Sequence, residues 1–155
     1  VAIRAALTGH FVFSTLHTND APSAVTRMTD MGVENYLINS SVVAILAQRL
    51  VRIICKECRR PAGTTFTPWG EELEIFKGSG CEACNFSGYK SRAGIFELME
   101  MNDEIRRLIM ANADASQLTD AARRNGMRNL REDGWMKVKT GLTTADEVTR
   151  VTQEF

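Results

Sequence analysis

The four cysteines of this chain form two Cys-x-x-Cys pairs, and no cysteine is left over. Cys55 and Cys58 make the first pair, Cys81 and Cys84 make the second, and residues 59–80 separate them. Two closely spaced pairs can fold back so that four thiolates converge on one tetrahedral ion, usually zinc. We predict a structural zinc site, because four thiolates leave the metal no open position for water.

The residues around the cysteines fit this prediction but leave alternatives open. Two disulfides, or four buried free thiols, would use the same cysteines, and a redox switch that releases zinc is a further alternative. Tight knuckles need turn-forming residues, and these are Pro61, Gly63, Gly78, Gly80 and Gly88. Nearby basic residues would offset the thiolate charge or face anionic lipid or an acidic partner; they are Lys56, Arg59, Arg60, Lys90 and Arg92.

Composition narrows the classes of function. The chain has 155 residues, enough for one ordinary domain or two small ones, and its formal net charge is zero. A neutral chain is not expected to bind nucleic acid through bulk attraction to phosphates. No apolar run approaches the length that spans a bilayer. The first residues resemble the end of a helix without an initiator Met, so we expect a fragment or an internal cut.

The first segment, residues 1–54, is predicted to be part of an α/β sheet domain. A helix tail should end at Thr8 and Gly9, and residues 11–16, apolar on both faces, should form a buried central strand. Asp20 should cap the next helix, whose buried stripe is Ala21, Ala24, Val25, Met28 and Met31. A longer helix over residues 34–49, with Ile38, Val42, Ile45 and Leu46 on its apolar face, and a strand over residues 50–54 should follow.

The remaining chain divides into a metal lobe, residues 55–101, and a helical segment, residues 102–155. In the lobe we predict a short helix over residues 68–76 and a strand over residues 92–101. The last segment is expected to be a small bundle of helices over residues 103–110, 117–125, 129–139 and 145–153. Gly126 and Gly141 are placed as helix stops, and Thr144 with Glu147 fits a capping box.

Polar residues follow the predicted strand of residues 11–16. His17, Thr18 and Asn19 precede Asp20, where the next helix begins, and ligands of open α/β sheets bind beyond the carboxyl ends of the strands. A helix N-terminus there would favour phosphate. His10 is expected near the opposite end of the strand. Taken alone the pattern is also that of a structural histidine, and the chain has no Gly-x-x-x-x-Gly-Lys-Ser/Thr phosphate loop.

Several motifs in order resemble the secretion ATPase superfamily, which drives type II secretion and type IV pilus assembly. Residues 6–21, Ala-Leu-Thr-Gly-His-Phe-Val-Phe-Ser-Thr-Leu-His-Thr-Asn-Asp-Ala, resemble the histidine box of that family. The resemblance covers essentially the whole chain, and motifs in a fixed order are more specific than any one of them. The further matches are residues 27–32, residues 47–52 leading into the first cysteine pair, residues 80–85, Gly88 with Tyr89, residues 92–98, residues 130–134, Lys137 with Val138, Gly141, and Glu147 with Val148.

This resemblance implies a RecA-like core, a homo-hexameric ring, ATP with Mg²⁺, and coupling to an inner-membrane platform protein at the cytoplasmic face of the membrane. The match begins after the family's phosphate loop, so the chain resembles the C-terminal part of the motor and should not hydrolyse ATP alone. By the same resemblance His17 is the γ-phosphate sensor, Thr18 and Asn19 shape the turn beside it, and His10 shares the box. The expected fold is α/β: part of a RecA-like sheet domain, an inserted four-cysteine zinc lobe and a C-terminal helical bundle.

Two other classes of function are consistent with parts of the sequence. A zinc-containing adaptor that binds proteins and never meets nucleotide is permitted by the balanced charge and the missing phosphate loop. A zinc-ribbon nucleic-acid binder is less well supported, because the knuckles lack aromatic residues interleaved in a basic stripe. Within the family, the cysteine lobe favours a pilus-extension or secretion motor over a retraction motor, and the residues do not separate pilus assembly from secretion.

Overall fold

The structure is a computed structural model that describes residues 1–153. Residues 154 and 155, the end of the predicted helical segment, lie outside the described residues. The chain has a mixed α/β fold with small sheets. Its helices are α1 (Ala2–Leu7), α2 (Ala21–Asp30), α3 (Asn35–Ser41), α4 (Asp103–Met110), α5 (Ala115–Arg124), α6 (Leu130–Lys139) and α7 (Ala145–Thr152); its strands are β1 (Ala44–Ile54), β2 (Arg59–Phe66), β3 (Glu72–Gly78) and β4 (Tyr89–Glu100).

The chain forms two compact units, and each combines two separate stretches of sequence. The first unit contains Val1–Ala47 and Glu97–Asn129, and the second contains Gln48–Phe96 and the residues from Leu130 onward. Strands β1 and β4 are hydrogen-bonded neighbours, and each runs from one unit into the other. These units do not coincide with the three consecutive segments predicted from the sequence.

The core of the first unit is made by the apolar faces of α2, α3, α4 and α5 with the end of β4. Asp20 starts α2 as predicted, because its carboxylate accepts the Ser23 N–H at 2.8 Å and Pro22 occupies the first turn. Met31 was predicted to be buried but is 61% exposed, because α2 ends at Asp30 and Met31 is its C-cap. The buried residues are Ala21, Val25, Ile38, Met99, Met101, Ile105, Ile109, Leu118, Ala121 and Ala122.

The core of the second unit forms where the β2–β3 hairpin packs against α6 and α7. Strands β2 and β3 are antiparallel, with an irregularity between Pro61 and Thr64. Leu73 on β3 is buried with three helical residues, which are Trp135, Val138 and Val148. A Cβ on Gly134 of α6 would lie 2.6 Å from a methyl carbon of Val148, so glycine permits the close approach of α6 and α7.

The helices after residue 102 were well located by sequence, but they do not share one core. The predicted helix over residues 103–110 is confirmed with the same bounds, and the other three agree within two residues at each end. Helices α4 and α5 belong to the core of the first unit, whereas α6 and α7 belong to that of the second. The predicted single bundle is therefore replaced by two helix pairs, each of which buries its apolar stripe against other parts of the chain.

The predicted strand over residues 11–16 is absent. Residues 10–18 form no helix or strand, and Phe11 and Phe13 are 77% and 88% exposed. Their rings meet edge to face at 5.0 Å. A strand requires a partner for its backbone N–H and C=O groups, and within the part of the chain that the structure describes no strand pairs with this segment. The helix tail before it is confirmed as α1.

The helix predicted over residues 34–49 forms only in its first half, and the helix predicted over residues 68–76 does not form. Both regions instead show a pattern that repeats every two residues, as in a strand. The helix expected over residues 34–49 ends at Ser41, and β1 begins at Ala44. Partly buried and exposed residues alternate along β1, as in a strand with one covered face. The helix expected over residues 68–76 is a turn followed by β3, where charged and apolar residues alternate through Glu72, Leu73, Glu74 and Ile75. The strands predicted over residues 50–54 and 92–101 are confirmed as parts of β1 and β4.

Among the described residues, no helix combines the length and the apolar character needed to cross a bilayer.

Candidate functional site

The four cysteines converge as predicted, and their Sγ atoms all lie within 4.8 Å of one another. Three of the distances are short: Cys55 to Cys81 is 3.8 Å, Cys81 to Cys84 is 3.8 Å, and Cys58 to Cys84 is 3.9 Å. Four sulfurs bound at about 2.3 Å to one tetrahedral ion would lie about 3.8 Å apart. All four cysteines are free, and these distances are too long for disulfide bonds. The residues present therefore fit a tetrahedral metal ion.

The backbone between the two knuckles fixes the cysteines relative to one another. Cys55 follows the end of β1, and its N–H donates to the Gly88 carbonyl at 2.9 Å. The Ser79 N–H donates to the Cys58 carbonyl at 3.1 Å, so each knuckle is tied to the segment that carries the other. A short 3-10 turn, Glu82–Cys84, follows Cys81 and presents the second pair.

Electrostatics in this cluster favour a bound cation. Burial raises the pKa of the Cys84 thiol, but N–H donation from Cys81 and Gly88, each at 3.3 Å, outweighs burial and lowers the pKa to about 6. Burial, with hydrogen bonds involving Cys84 and Cys55, raises the pKa of Cys81 to about 11. Without a metal, the chain therefore favours the ionised form of Cys84 and disfavours the ionised form of Cys81 beside it. A bound divalent cation would favour the ionised form of both thiols.

Close contact between two glycines explains why small residues flank the knuckles. A Cβ on Gly78 would lie 2.1 Å from the Gly88 carbonyl oxygen, a distance that no real side chain tolerates. Gly88 itself has a φ of +77°, in the left-handed region that favours glycine. Since Gly88 also contacts both Cys55 and Cys84, this crossing sets the geometry of the cluster.

The basic residues of the lobe are exposed; they are Lys56, Arg59, Arg60, Lys90 and Arg92. That they offset the thiolate charge, or face anionic lipid or an acidic partner, stays a prediction. Among the described residues, the Arg59 guanidinium lies 4.1 Å from the centroid of the Phe76 ring. This cation–π contact joins a side chain of β2 to one of β3.

Glu147 is a buried charged residue that the sequence placed in a helix cap and in one of the family's motifs. Thr144 caps α7 by accepting the Glu147 N–H, but the Glu147 carboxylate does not return to complete the box. Instead it is 1% exposed and accepts hydrogen bonds from Arg52 on β1 and Arg150 on α7. Arg52 also lies 4.2 Å from the centroid of the Tyr89 ring. The end of β1 that leads into the first cysteine pair is thereby attached to α7.

The histidine segment lies on residues 10–20, before α2. The His17 and Asn19 side chains are exposed, and the Thr18 hydroxyl donates to the Asp20 carbonyl at 3.1 Å. His10 is also exposed, and its Nδ1 lies 3.1 Å from the Thr8 hydroxyl. The predicted roles of His17, Thr18, Asn19 and His10 toward nucleotide stay predictions.

Sequence reasoning gave no role to Glu97, which the structure places beside this segment. Glu97 is only 4% exposed, and its Oε1 accepts the N–H of Ala21, the first residue of α2, at 2.8 Å. A signal was present in the sequence, because Glu97 shares the buried face of β4 with Ile95 and Met99. A carboxylate at a core position of a strand requires a donor.

Comparison with known proteins identifies the family of this mixed α/β chain with its cluster of four cysteines. It resembles the X-ray structure of the Legionella pneumophila ATPase DotB with a TM-score of 0.59 at 20% sequence identity, which covers 96% of this chain and 33% of that one and supports the fold alone. The model of the family "Type II/IV secretion system protein" matches residues 1–150. The chain belongs to that family.

Individual relatives agree along almost the whole chain. It is 49% identical to the type II secretion system protein HxcR of Pseudomonas aeruginosa over 99% of its length, and 46% identical to the type IV pilus assembly ATPase PilB of Thermus thermophilus over 96%. It is 42% identical to the type II secretion system ATPase E of Vibrio cholerae over 99%. The chain spans only 31%, 18% and 32% of the lengths of these relatives.

Proposed function

We propose that this chain is the C-terminal part of a homo-hexameric ATPase motor that powers type IV pilus assembly or type II protein secretion. One observation carries the proposal: relatives named as ATPases of these two systems match 96–99% of the chain at 42–46% identity. The adaptor alternative has no comparable support. The zinc ribbon that binds nucleic acid has none either, and we propose no nucleic-acid partner.

In this motor the phosphate loop that binds ATP and Mg²⁺ belongs to sequence outside this chain. We propose that residues 1–54 contribute to a RecA-like core, residues 55–101 form the metal lobe, and residues 102–155 form the C-terminal helical part. His17 would contact the terminal phosphate or the attacking water, with Thr18 and Asn19 shaping the turn and His10 in a supporting role. The exposed ring of His17, close in sequence to the N-terminus of α2, supports this role.

The four cysteines are proposed to hold structural zinc. When bound, the ion would offset two of the four thiolate charges and cross-link the two knuckles. Cys84 is prepared for this by its two N–H donors, and Gly88 positions both Cys55 and Cys84. Metal analysis of the purified chain should give one zinc per chain. A chain with all four thiols reactive and no bound metal would refute the zinc assignment.

The motor is proposed to act at the cytoplasmic face of the bacterial inner membrane, where it would contact a membrane platform protein. The exposed basic residues of the metal lobe are available for such a contact or for anionic lipid. The relatives include proteins of type II secretion and of type IV pilus assembly, so the proposal covers both systems.

The experiment that tests the proposal compares the full-length protein with the chain of 155 residues in ATP hydrolysis and in oligomeric state. The full-length protein should hydrolyse ATP with Mg²⁺ and form hexamers, and its gene should restore pilus formation or secretion to a deletion strain. The isolated chain should not hydrolyse ATP. A full-length protein that binds no ATP would favour the adaptor.

A further inference from the structure

The first turn of α2 is held by two carboxylates from different parts of the chain. Asp20, the N-cap residue, accepts the Ser23 N–H at 2.8 Å. Glu97 on β4 accepts the Ala21 N–H, also at 2.8 Å, from 76 residues away in sequence. Both partners of the second bond are inaccessible to solvent, Ala21 being 0% and Glu97 4% exposed.

A buried hydrogen bond of this kind fixes position more strongly than a local cap does. The first N–H groups of a helix have no partner within the helix, and a buried carboxylate there is favoured by both hydrogen bonding and the helix dipole. Because Glu97 lies between the core residues Ile95 and Met99 on the covered face of β4, its own position is set by the strand. The strand, together with the Asp20 cap, therefore fixes where α2 begins.

The segment that precedes α2 contains His17, and only residues 18–20 separate it from Ala21. The Thr18 hydroxyl donates to the Asp20 carbonyl at 3.1 Å, which restricts this short connection further. We propose that Glu97 is a positioning residue for His17: by holding the Ala21 N–H, it sets the position from which the imidazole meets the terminal phosphate of the nucleotide. This inference rests on the proposed function, and Glu97 itself is not placed in contact with nucleotide.

The positioning effect depends on the length of the Glu97 side chain, which brings an oxygen to the Ala21 N–H, rather than on its charge. Glu97→Gln keeps an oxygen acceptor at the same distance and loses the charge, whereas Glu97→Asp keeps the charge and is one methylene too short. In the full-length protein, Glu97→Asp should lower kcat for ATP hydrolysis about tenfold with little change in KM, because a small misplacement of a catalytic group is costly. Glu97→Gln should stay within about threefold of the wild type, since the geometry is kept.

A double-mutant cycle with His17→Ala separates positioning from general loss of stability. If Glu97 acts through His17, then Glu97→Asp should change kcat less than about twofold once His17 is replaced by alanine. The matched control is Glu147→Asp, which also shortens a buried carboxylate but lies in the other unit of the chain. Its effect on kcat, whatever its size, should be the same in both backgrounds.

Three outcomes would overturn the inference. If His17→Ala lowers kcat and Glu97→Asp lowers kcat by the same factor in the His17→Ala background as in the wild type, the two effects are independent. The positioning role then fails while the proposed function stands. A larger loss in Glu97→Gln than in Glu97→Asp, or a Glu97→Asp protein that does not assemble by size-exclusion chromatography, would mean that charge or folding is what Glu97 supplies. If His17→Ala turns over normally, the proposed role of His17 and this inference fail together.

Discussion

Replacing Glu147 by glutamine should destabilise the second unit in a manner that depends on pH. The carboxylate accepts four hydrogen bonds: from the Arg52 N–H at 3.0 Å, the Arg52 Nη2 at 2.6 Å, the Arg150 Nε at 2.9 Å and the Arg150 Nη2 at 2.8 Å. An amide has one oxygen and no charge. Glu147→Gln must therefore lose the ionic part of all four bonds and two of the bonds outright, because each carboxylate oxygen accepts two of them.

The magnitude follows from the burial of the three side chains. Hydrogen bonds to charged groups contribute about 1.5–3 kcal/mol each, and breaking a buried ion pair costs about 3–5 kcal/mol. Here Glu147 is buried, but the Arg52 and Arg150 side chains are 46% and 57% exposed and can be hydrated after the substitution. We therefore expect a loss of about 2–3 kcal/mol in the free energy of unfolding at pH 7.

The loss should shrink in acid. Hydrogen bonds from Arg150 and Arg52 outweigh burial and hold the pKa of Glu147 well below its ordinary value. A carboxyl group with a lowered pKa in the folded state stabilises the protein above its unfolded pKa of about 4.3, and this stabilisation is lost as the pH falls toward the folded-state pKa. The difference between wild type and Glu147→Gln should thus be full at neutral pH and decrease progressively below about pH 4.3.

Urea unfolding of the purified chain, followed by circular dichroism at pH 7 and at pH 3.5, measures this difference. Acid changes the stability of both proteins, so the readout is the gap between them at each pH rather than either stability alone. Glu100→Gln, at an exposed position on β4, is the control and should change stability by less than about 0.5 kcal/mol. Equal unfolding midpoints at pH 7, or a gap that does not narrow in acid, would refute the reasoning.

Three further predictions concern the metal lobe and the start of α2. Cys81→Ser, or a strong chelator, should make the lobe sensitive to protease while the first unit stays resistant; equal resistance with and without the chelator would contradict this. Gly78→Ala should abolish stoichiometric metal binding, measured by metal analysis, because its Cβ would lie 2.1 Å from the Gly88 carbonyl oxygen. Asp20→Ala should lower the unfolding free energy by about 1 kcal/mol through loss of the bond to the Ser23 N–H, and an unchanged thermal midpoint would exclude that role.

Local signals in the sequence were enough to place the elements whose ends are set by neighbouring residues. Helix α4 was predicted with its observed bounds because the apolar residues Ile105 and Ile109 recur at helical spacing, and the structure adds that Asn102 caps it. The cysteine cluster was predicted for a similar reason, since the spacing within each pair restricts how it can bind a metal. The convergence of both pairs in the structure confirms that reasoning.

Elements that depend on distant partners were the ones that sequence did not predict. Residues 11–16 have the composition of a buried strand, but composition cannot supply the neighbouring strand, and Phe13 is 88% exposed. Strand β2 was missed because Pro61 and Gly63 were read only as turn formers, whereas its hydrogen bonds to β3 tolerate an irregularity at that point. The roles of Glu97 and Glu147 depend on donors 76 and 95 residues away. Arg150 lies within one helical turn of Glu147, but Ala21 and Arg52 lie too far away in sequence for a local pattern to identify them as partners.

The most direct test of the account is ATP hydrolysis by the full-length protein with His17 replaced by alanine. Turnover should be measured at saturating ATP and Mg²⁺, with hexamer formation and nucleotide binding checked in the same preparation, and His10→Ala should be measured in parallel to define the second histidine. The account predicts that His17→Ala binds ATP with nearly unchanged affinity and loses at least about tenfold in kcat, as expected for a group that acts on the terminal phosphate. Turnover within about twofold of the wild type, in a properly assembled ring, would contradict it.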